Sequence, residues 1–121
     1  MKTFLVVDDS GVVRRVARRI LERLSFGVDE AANGRIALEA CQARMPDAVL
    51  LDWNMPEMSG IEFLRRLRRA PGGTAPIVVF CTTEGDIAHI QEAIGAGASD
   101  YIVKPFDDAI LRAKLRTVGL L

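Results

Sequence analysis

Short apolar runs alternate with longer amphipathic stretches along the whole chain. Phe4-Leu5-Val6-Val7 is a partly β-branched run that ends in Asp8 and Asp9. Val12, Val13, Val16, Ala17, Ile20, Leu21 and Leu24 then recur at helical spacing, with arginines on the opposite face, and predict a helix whose stripe meets the core. A second strand is expected near Val28 to Ala31. Asn33-Gly34 makes a turn, and Ala37, Leu38, Cys41 and Met45 give a short helical stripe that Met45-Pro46-Asp47 stops. Ala48-Val49-Leu50-Leu51 is a buried strand ending at Asp52. Ser59-Gly60-Ile61-Glu62 has the form of a capping box, in which Ser59 and Glu62 each satisfy a free amide at a helix start. Ile61, Leu64 and Leu67 continue that helix to a loop at Pro71-Gly72-Gly73.

The second half keeps the rhythm. Ile77-Val78-Val79-Phe80 is a fourth strand, ending near Thr82. A helix is expected from Asp86 to Ile94, with Gly95-Ala96-Gly97 ending it. Tyr101-Ile102-Val103 is a fifth strand that ends at Lys104-Pro105, and Leu111, Leu115 and Val118 mark a last helix. Five apolar strands alternating with five helices predict an α/β domain with a parallel sheet covered on both faces. Right-handed crossovers and the length favour a doubly wound (βα)5, flavodoxin-like fold of strand order 2-1-3-4-5. No linker, repeat or low-complexity segment divides residues 1–121, so one domain is expected.

Composition narrows the function. Lys plus Arg and Asp plus Glu both number 16, and a net charge of zero argues against a general nucleic-acid binder. The apolar runs are too short for a membrane span, and the acids after Val7 are wrong for a secretory leader. Cys41 and Cys81 show no metal spacing and read as reduced core residues of a cytoplasmic protein.

The polar residues that break the apolar runs all fall at one edge of the predicted sheet. Asp8 and Asp9 follow the first strand, Asp52 ends the third, Thr82 the fourth and Lys104 the fifth. In a doubly wound sheet these carboxyl ends carry the site. Three converging carboxylates repel one another unless compensated. A hard divalent cation does so, and Mg²⁺ prefers such oxygens while keeping waters that a phosphate can replace. Asp52 is then a candidate nucleophile toward a phosphoryl group, with Mg²⁺ and Lys104 stabilising its charge and Thr82 donating a hydrogen bond.

Phe4 to Asp9 (FLVVDD), Asp52 to Pro56 (DWNMP), Gly97 to Tyr101 and Val103 to Phe106 resemble the receiver domains of two-component response regulators, most closely their free-standing chemotaxis members. The resemblance runs the length of the chain. It implies that Asp8 and Asp9 serve Mg²⁺ and that Asp52 is phosphorylated. It further implies that the backbone carbonyl of Asn54 is a metal ligand, Thr82 the switch hydroxyl, Lys104 the phosphoryl-binding cation and Tyr101 an aromatic that swings inward. A cis Lys104–Pro105 bond also follows from it, and Asn54 and Glu84 occupy positions that tune hydrolysis of the phosphoryl group. One departure is Thr83, where the family often has a small residue; it bears on the phosphorylation rate and the switch amplitude.

The expected function is therefore a stand-alone, phosphorylation-dependent binding module and not an enzyme. Its donor would be a sensor histidine kinase or a phosphotransfer protein. Its output would be a protein contact through the fourth helix, fifth strand and fifth helix, made by a monomer or a weak, activation-dependent dimer. An aspartate-nucleophile phosphohydrolase is the alternative, although Asn54 stands where that class wants an acid. A flavin carrier on the same fold lacks its phosphate loop here. Arg14, Arg15, Arg18, Arg19 and Arg23, and Arg65, Arg66, Arg68 and Arg69, read as solvated basic faces, with an acidic or phosphate-bearing partner as the sharper reading. His89 is expected at the surface or an interface, and Trp53 beside the acceptor site.

Overall fold

The computed structural model describes residues 1–83 and 88–121. The chain runs β1 (Thr3–Val7), α1 (Gly11–Arg23), β2 (Gly27–Ala31), α2 (Gly34–Ala43), β3 (Ala48–Asp52), α3 (Gly60–Arg69), β4 (Ile77–Thr82), α4 (Ile90–Gly95), β5 (Asp100–Val103) and α5 (Asp108–Thr117). All strand pairs are parallel and the order is β2-β1-β3-β4-β5, as the alternation of runs predicts. No helix among the described residues is long and apolar enough to cross a membrane.

The two-residue period of the strands builds two cores. Leu5, Val7, Val49, Leu51, Val78 and Phe80 face α2, α3 and α4, where Ala37, Cys41, Phe63, Leu64, Leu67 and Ala93 meet them. Phe4, Val6, Ala48, Leu50, Val79, Cys81 and Ile102 face α1 and α5, against Ala17, Ile20, Leu21, Leu111 and Leu115. Because both faces are covered, β1, β3 and β4 are near-continuous apolar runs, whereas the edge strand β2, Gly-Val-Asp-Glu-Ala, is partly polar. Side chains start four of the helices. Ser10, Asn33, Ser59 and Asp107 accept from the amides of Val13, Ile36, Glu62 and Ile110 at 2.8–3.3 Å. Asn33 is thus a cap as well as a turn residue, and the Glu62 carboxylate turns to Arg66 at 3.6 Å.

Three features depart from the sequence pattern. Val12 and Val16 are 62% and 43% exposed, because at 3.6 residues per turn they fall on the flank of the stripe that Ala17, Ile20 and Leu21 bury. There they line a cleft of ≈ 460 Å³ with Val13, Thr83, Lys104, Pro105 and Phe106. The regular part of α4 begins only at Ile90, preceded by a tight turn at Ala88 and His89; Glu84 and Asp86 lie outside the described residues. Arg68 is not part of a solvated basic face. Its guanidinium donates to the carbonyls of Gly97 (2.7 and 3.0 Å), Gly73 (2.9 Å) and Pro76 (2.8 Å). Gly97 has φ +112°, and a Cβ there would meet the Arg68 side chain at 2.9 Å.

Arg68 therefore fixes the turn that launches β5. Arg68→Ala should lower unfolding stability by about 2 kcal/mol, since several carbonyls lose a charged donor at once. Lysine, a point donor, should restore little of it. Urea denaturation checks this; an unchanged midpoint in Arg68→Ala would contradict the clamp.

Candidate functional site

Strand parity decides which side chains meet at the carboxyl edge. Asp8 continues the Phe4–Val6 face of β1, Asp52 the Ala48–Leu50 face of β3, and Lys104 the Ile102 face of β5. All three emerge on the α1/α5 side. Lys104 Nζ donates to Asp8 Oδ2 at 2.9 Å and to Asp52 Oδ1 at 2.8 Å. Asp8, Asp9 and Asp52 each offer a carboxylate oxygen within 4.8 Å of the other two. Asp8 and Asp52 are buried, whereas Asp9 is exposed and leaves the cluster open to solvent.

Asp8 is held at each of its polar groups. Its amide donates to Ala31 O (3.1 Å), and Oδ1 accepts from the Ser10 amide (2.9 Å). Its backbone carbonyl accepts from Arg14 Nη1 (2.6 Å), and Oδ2 takes Lys104. Asp52 is set from the other side by the start of α3. The Gly60 amide donates to Trp53 O at 3.0 Å, and a Cβ on Gly60 would overlap the Asp52 carbonyl oxygen, so only glycine allows this approach.

Electrostatics mark the cluster as short of positive charge. Burial pushes the Asp52 carboxyl above its ordinary value; the hydrogen bond from Lys104 opposes this, and Asp8 and Asp9 add to it. Burial alone would lower Lys104, but its hydrogen bonds to Asp52 and Asp8 outweigh that and hold the ammonium above the usual lysine value. One ammonium against three carboxylates leaves net negative charge in a cluster of oxygen donors. That donor set fits a hard divalent cation such as Mg²⁺.

Thr82 and Tyr101 lie on the opposite parity, the α4 side. The Thr82 hydroxyl is buried and donates to Thr83 O at 3.3 Å, not to the carboxylates. Tyr101 is half-buried, with Lys114 Nζ 5.0 Å from its ring centroid and that ammonium paired to Asp100 at 3.0 Å. Both line a small cleft with Trp53, Phe80, His89 and Ile90. His89 is at the surface as expected, yet its ring stacks on Trp53 at 4.6 Å and 29°. Asn54 is exposed, two residues past β3. The Lys104–Pro105 bond is cis. Cys41 and Cys81 are free and buried, and burial pushes the Cys41 thiol up to about 11. Sequence reasoning missed the roles of Ser10, Gly60 and Arg14. Ser10 alone carried a usable signal, as a hydroxyl just before an apolar-periodic run.

A family model described as response regulator receiver domain matches residues 4–116. Chemotaxis protein CheY1 of Helicobacter pylori is 40% identical over 116 residues, covering 94% of each chain. A chemotaxis protein CheY homolog of Campylobacter jejuni is likewise 40% identical, over 94% of this chain and 89% of its own. Among solved structures, chemotaxis protein CheY4 of Vibrio cholerae superposes with TM-score 0.91 at 34% identity, covering 98% of both chains. The receiver domain of NtrX from Brucella abortus superposes with TM-score 0.87 at 28% identity, covering 95% and 96%.

Burial, with Asp8 and Asp9 alongside, raises the Asp52 carboxyl above its ordinary value, so ionising it works against the metal-free fold. The folded state binds a proton at Asp52 more tightly than the unfolded chain does. Stability without metal should therefore fall as pH rises from about 4, the ordinary carboxylate value, through the raised one. Asp52→Asn should raise the melting temperature in EDTA at pH 7 by a few degrees, with the gap closing near pH 4. Thermal melts across that range check it; a lower melting temperature for Asp52→Asn at pH 7 would contradict it.

Proposed function

The chain belongs to the response regulator receiver domain family, and on that premise we propose that it accepts a phosphoryl group on Asp52 in a Mg²⁺-dependent reaction and switches its affinity for a protein partner. A receiver domain is a signalling domain rather than an enzyme with turnover. The observation that carries the proposal is Lys104 Nζ bridging Asp8 and Asp52 inside a cluster of three carboxylates.

Lys104 occupies Asp52 Oδ1, which leaves Oδ2 to attack phosphorus. An ionised carboxylate already carries the nucleophilic pair, so no general base is needed. An O–P bond forms as the P–N bond of a donor phosphohistidine breaks, and the released imidazole nitrogen regains a proton from solvent. Asp8, Asp9, Asp52 and the Asn54 carbonyl would hold Mg²⁺. When bound, the ion neutralises the carboxylates and the equatorial phosphoryl oxygens. The Lys104 ammonium follows the new dianion, and the Thr82 hydroxyl leaves Thr83 O to donate to it. That movement empties space on the α4 side for Tyr101, so the surface of α4, β5 and α5 changes. The change is a population shift between two states of one fold. A sensor histidine kinase or a phosphotransfer protein is the donor, and the output is contact with a downstream protein.

Incubation with a small phosphodonor and Mg²⁺, read by intact mass, should show one added phosphoryl group in the wild type. None should appear in Asp52→Asn or in EDTA. Labelling that persists in Asp52→Asn would overturn the acceptor assignment, and continuous release of phosphate from an ester would instead mark a phosphohydrolase. Tyr101→Ala should keep full labelling and weaken partner binding by roughly 5-fold or more, the range of ordinary coupling energies. Equal affinity of labelled and unlabelled Tyr101→Ala and wild type would remove Tyr101 from the switch.

A further inference from the structure

Among the arginines of α1, Arg14 alone reaches the acidic cluster. Its Nη1 donates to the Asp8 carbonyl at 2.6 Å while its Nε donates to Glu30 Oε1 at 3.0 Å. The fork thus spans from β2 to the turn that carries Asp8 and Asp9. Glu30 is itself fixed: its second oxygen accepts from Arg18 Nε at 2.7 Å, and Arg18 Nη1 reaches Glu22 at 3.2 Å. Hydrogen bonds from Arg18 and Arg14 hold the Glu30 carboxyl below its ordinary value, against the effect of burial, so it stays ionised and keeps its grip. Arg14 and Glu30 are partly buried, with side chains 21% and 26% exposed, whereas the adjacent Arg15 is exposed.

We propose that Arg14, oriented by Glu30, is a positioning residue for the cation site: it locks the Asp8 carbonyl so that the Asp8 and Asp9 side chains stay turned toward Asp52. The inference rests on the reading of this cluster as a Mg²⁺ site. The other holds on Asp8 are single contacts along or across the sheet edge. The Asp8 amide also reaches β2, at Ala31 O, and Arg14 adds a side-chain tie to that strand through a planar, two-directional fork. Lysine cannot copy that geometry, because it offers a point charge on a flexible stem.

The sign of the effect separates positioning from bulk charge. A cation beside a Mg²⁺ site repels the ion, so removing it by charge alone would tighten Mg²⁺ binding. Loss of positioning loosens it, as loss of outer contacts to metal ligands generally does.

Isothermal titration of the metal-free protein with Mg²⁺ is the test. Arg14→Gln should raise Kd by roughly tenfold, the lower end for outer contacts of metal sites. Arg14→Lys should remain weak despite its charge, Glu30→Gln should weaken binding by a smaller factor, and Arg15→Gln should leave it unchanged. Unfolding midpoints in EDTA confirm that each variant folds; should Arg14→Gln fail to fold, Arg14→Lys, which keeps the charge and loses the fork, carries the test, because Glu30→Gln also removes a negative charge and that loss alone weakens cation binding. Equal or tighter binding by Arg14→Gln, full recovery in Arg14→Lys, or unchanged binding by Glu30→Gln would overturn the inference. If the wild type itself takes up no Mg²⁺, or Asp52→Asn binds as tightly as wild type, the reading of the site fails, and Arg14 is not what has been disproved.

Discussion

One ammonium group joins the ends of three strands. Lys104 Nζ, from the segment after β5, reaches Asp8 after β1 and Asp52 at the end of β3. Among the described residues it is the one side-chain cation that hydrogen-bonds these carboxylates, whose oxygens lie within 4.8 Å of one another and would otherwise repel. The rest of the site follows from that constraint. Lys104 can span both acids because parallel pairing aligns the strand ends and because odd and even positions are sorted between two cores. The compensation is incomplete in charge, one cation for three anions, which leaves a donor set that could hold a metal ion.

The same parity sorts the candidate site residues onto two faces of the sheet. Asp8, Asp52 and Lys104 lie on the α1/α5 face, while Thr82 and Tyr101 point to the α4 face with Trp53 and His89. A phosphoryl group on Asp52 would sit at the sheet edge where both faces are accessible. Thr82 is the one buried hydroxyl among the described residues at that edge, so it is the natural bridge between the halves. The α4 side also carries the shortest of the described helices. Its helix is one and a half turns long and has no side-chain cap, whereas α1, α2, α3 and α5 each start from one. Arg68 holds the far end of this region, at Gly97.

Most of the fold was legible because buried parallel strands write themselves as unbroken apolar runs, and the acids, hydroxyl and lysine that interrupt them mark one edge. Strand order and all five elements of each type followed from that rhythm. The residues that were not legible act through geometry that no periodicity encodes. Arg14 is one of five arginines on α1, and only the tertiary placement of Glu30 picks it out. Arg68 looked like surface charge until three carbonyls from two loops converged on it. Val12 and Val16 recur at helical spacing but lie on the flank of the face that Ala17, Ile20 and Leu21 bury, so apolar recurrence alone overstated the width of the stripe. Asn33 read as a turn residue, and its capping of Ile36 depends on an extended backbone that the dipeptide alone does not fix.

The account stands or falls on one location. A crystal grown with Mn²⁺ in place of Mg²⁺, with data collected to show anomalous scattering from manganese, places the ion directly. The predicted result is a single strong peak bounded by the carboxylates of Asp8, Asp9 and Asp52, with Lys104 drawn off at least one of its two present partners. A saturated crystal with no peak there, or with the ion held by other acids while Lys104 still bridges Asp8 and Asp52, would contradict it.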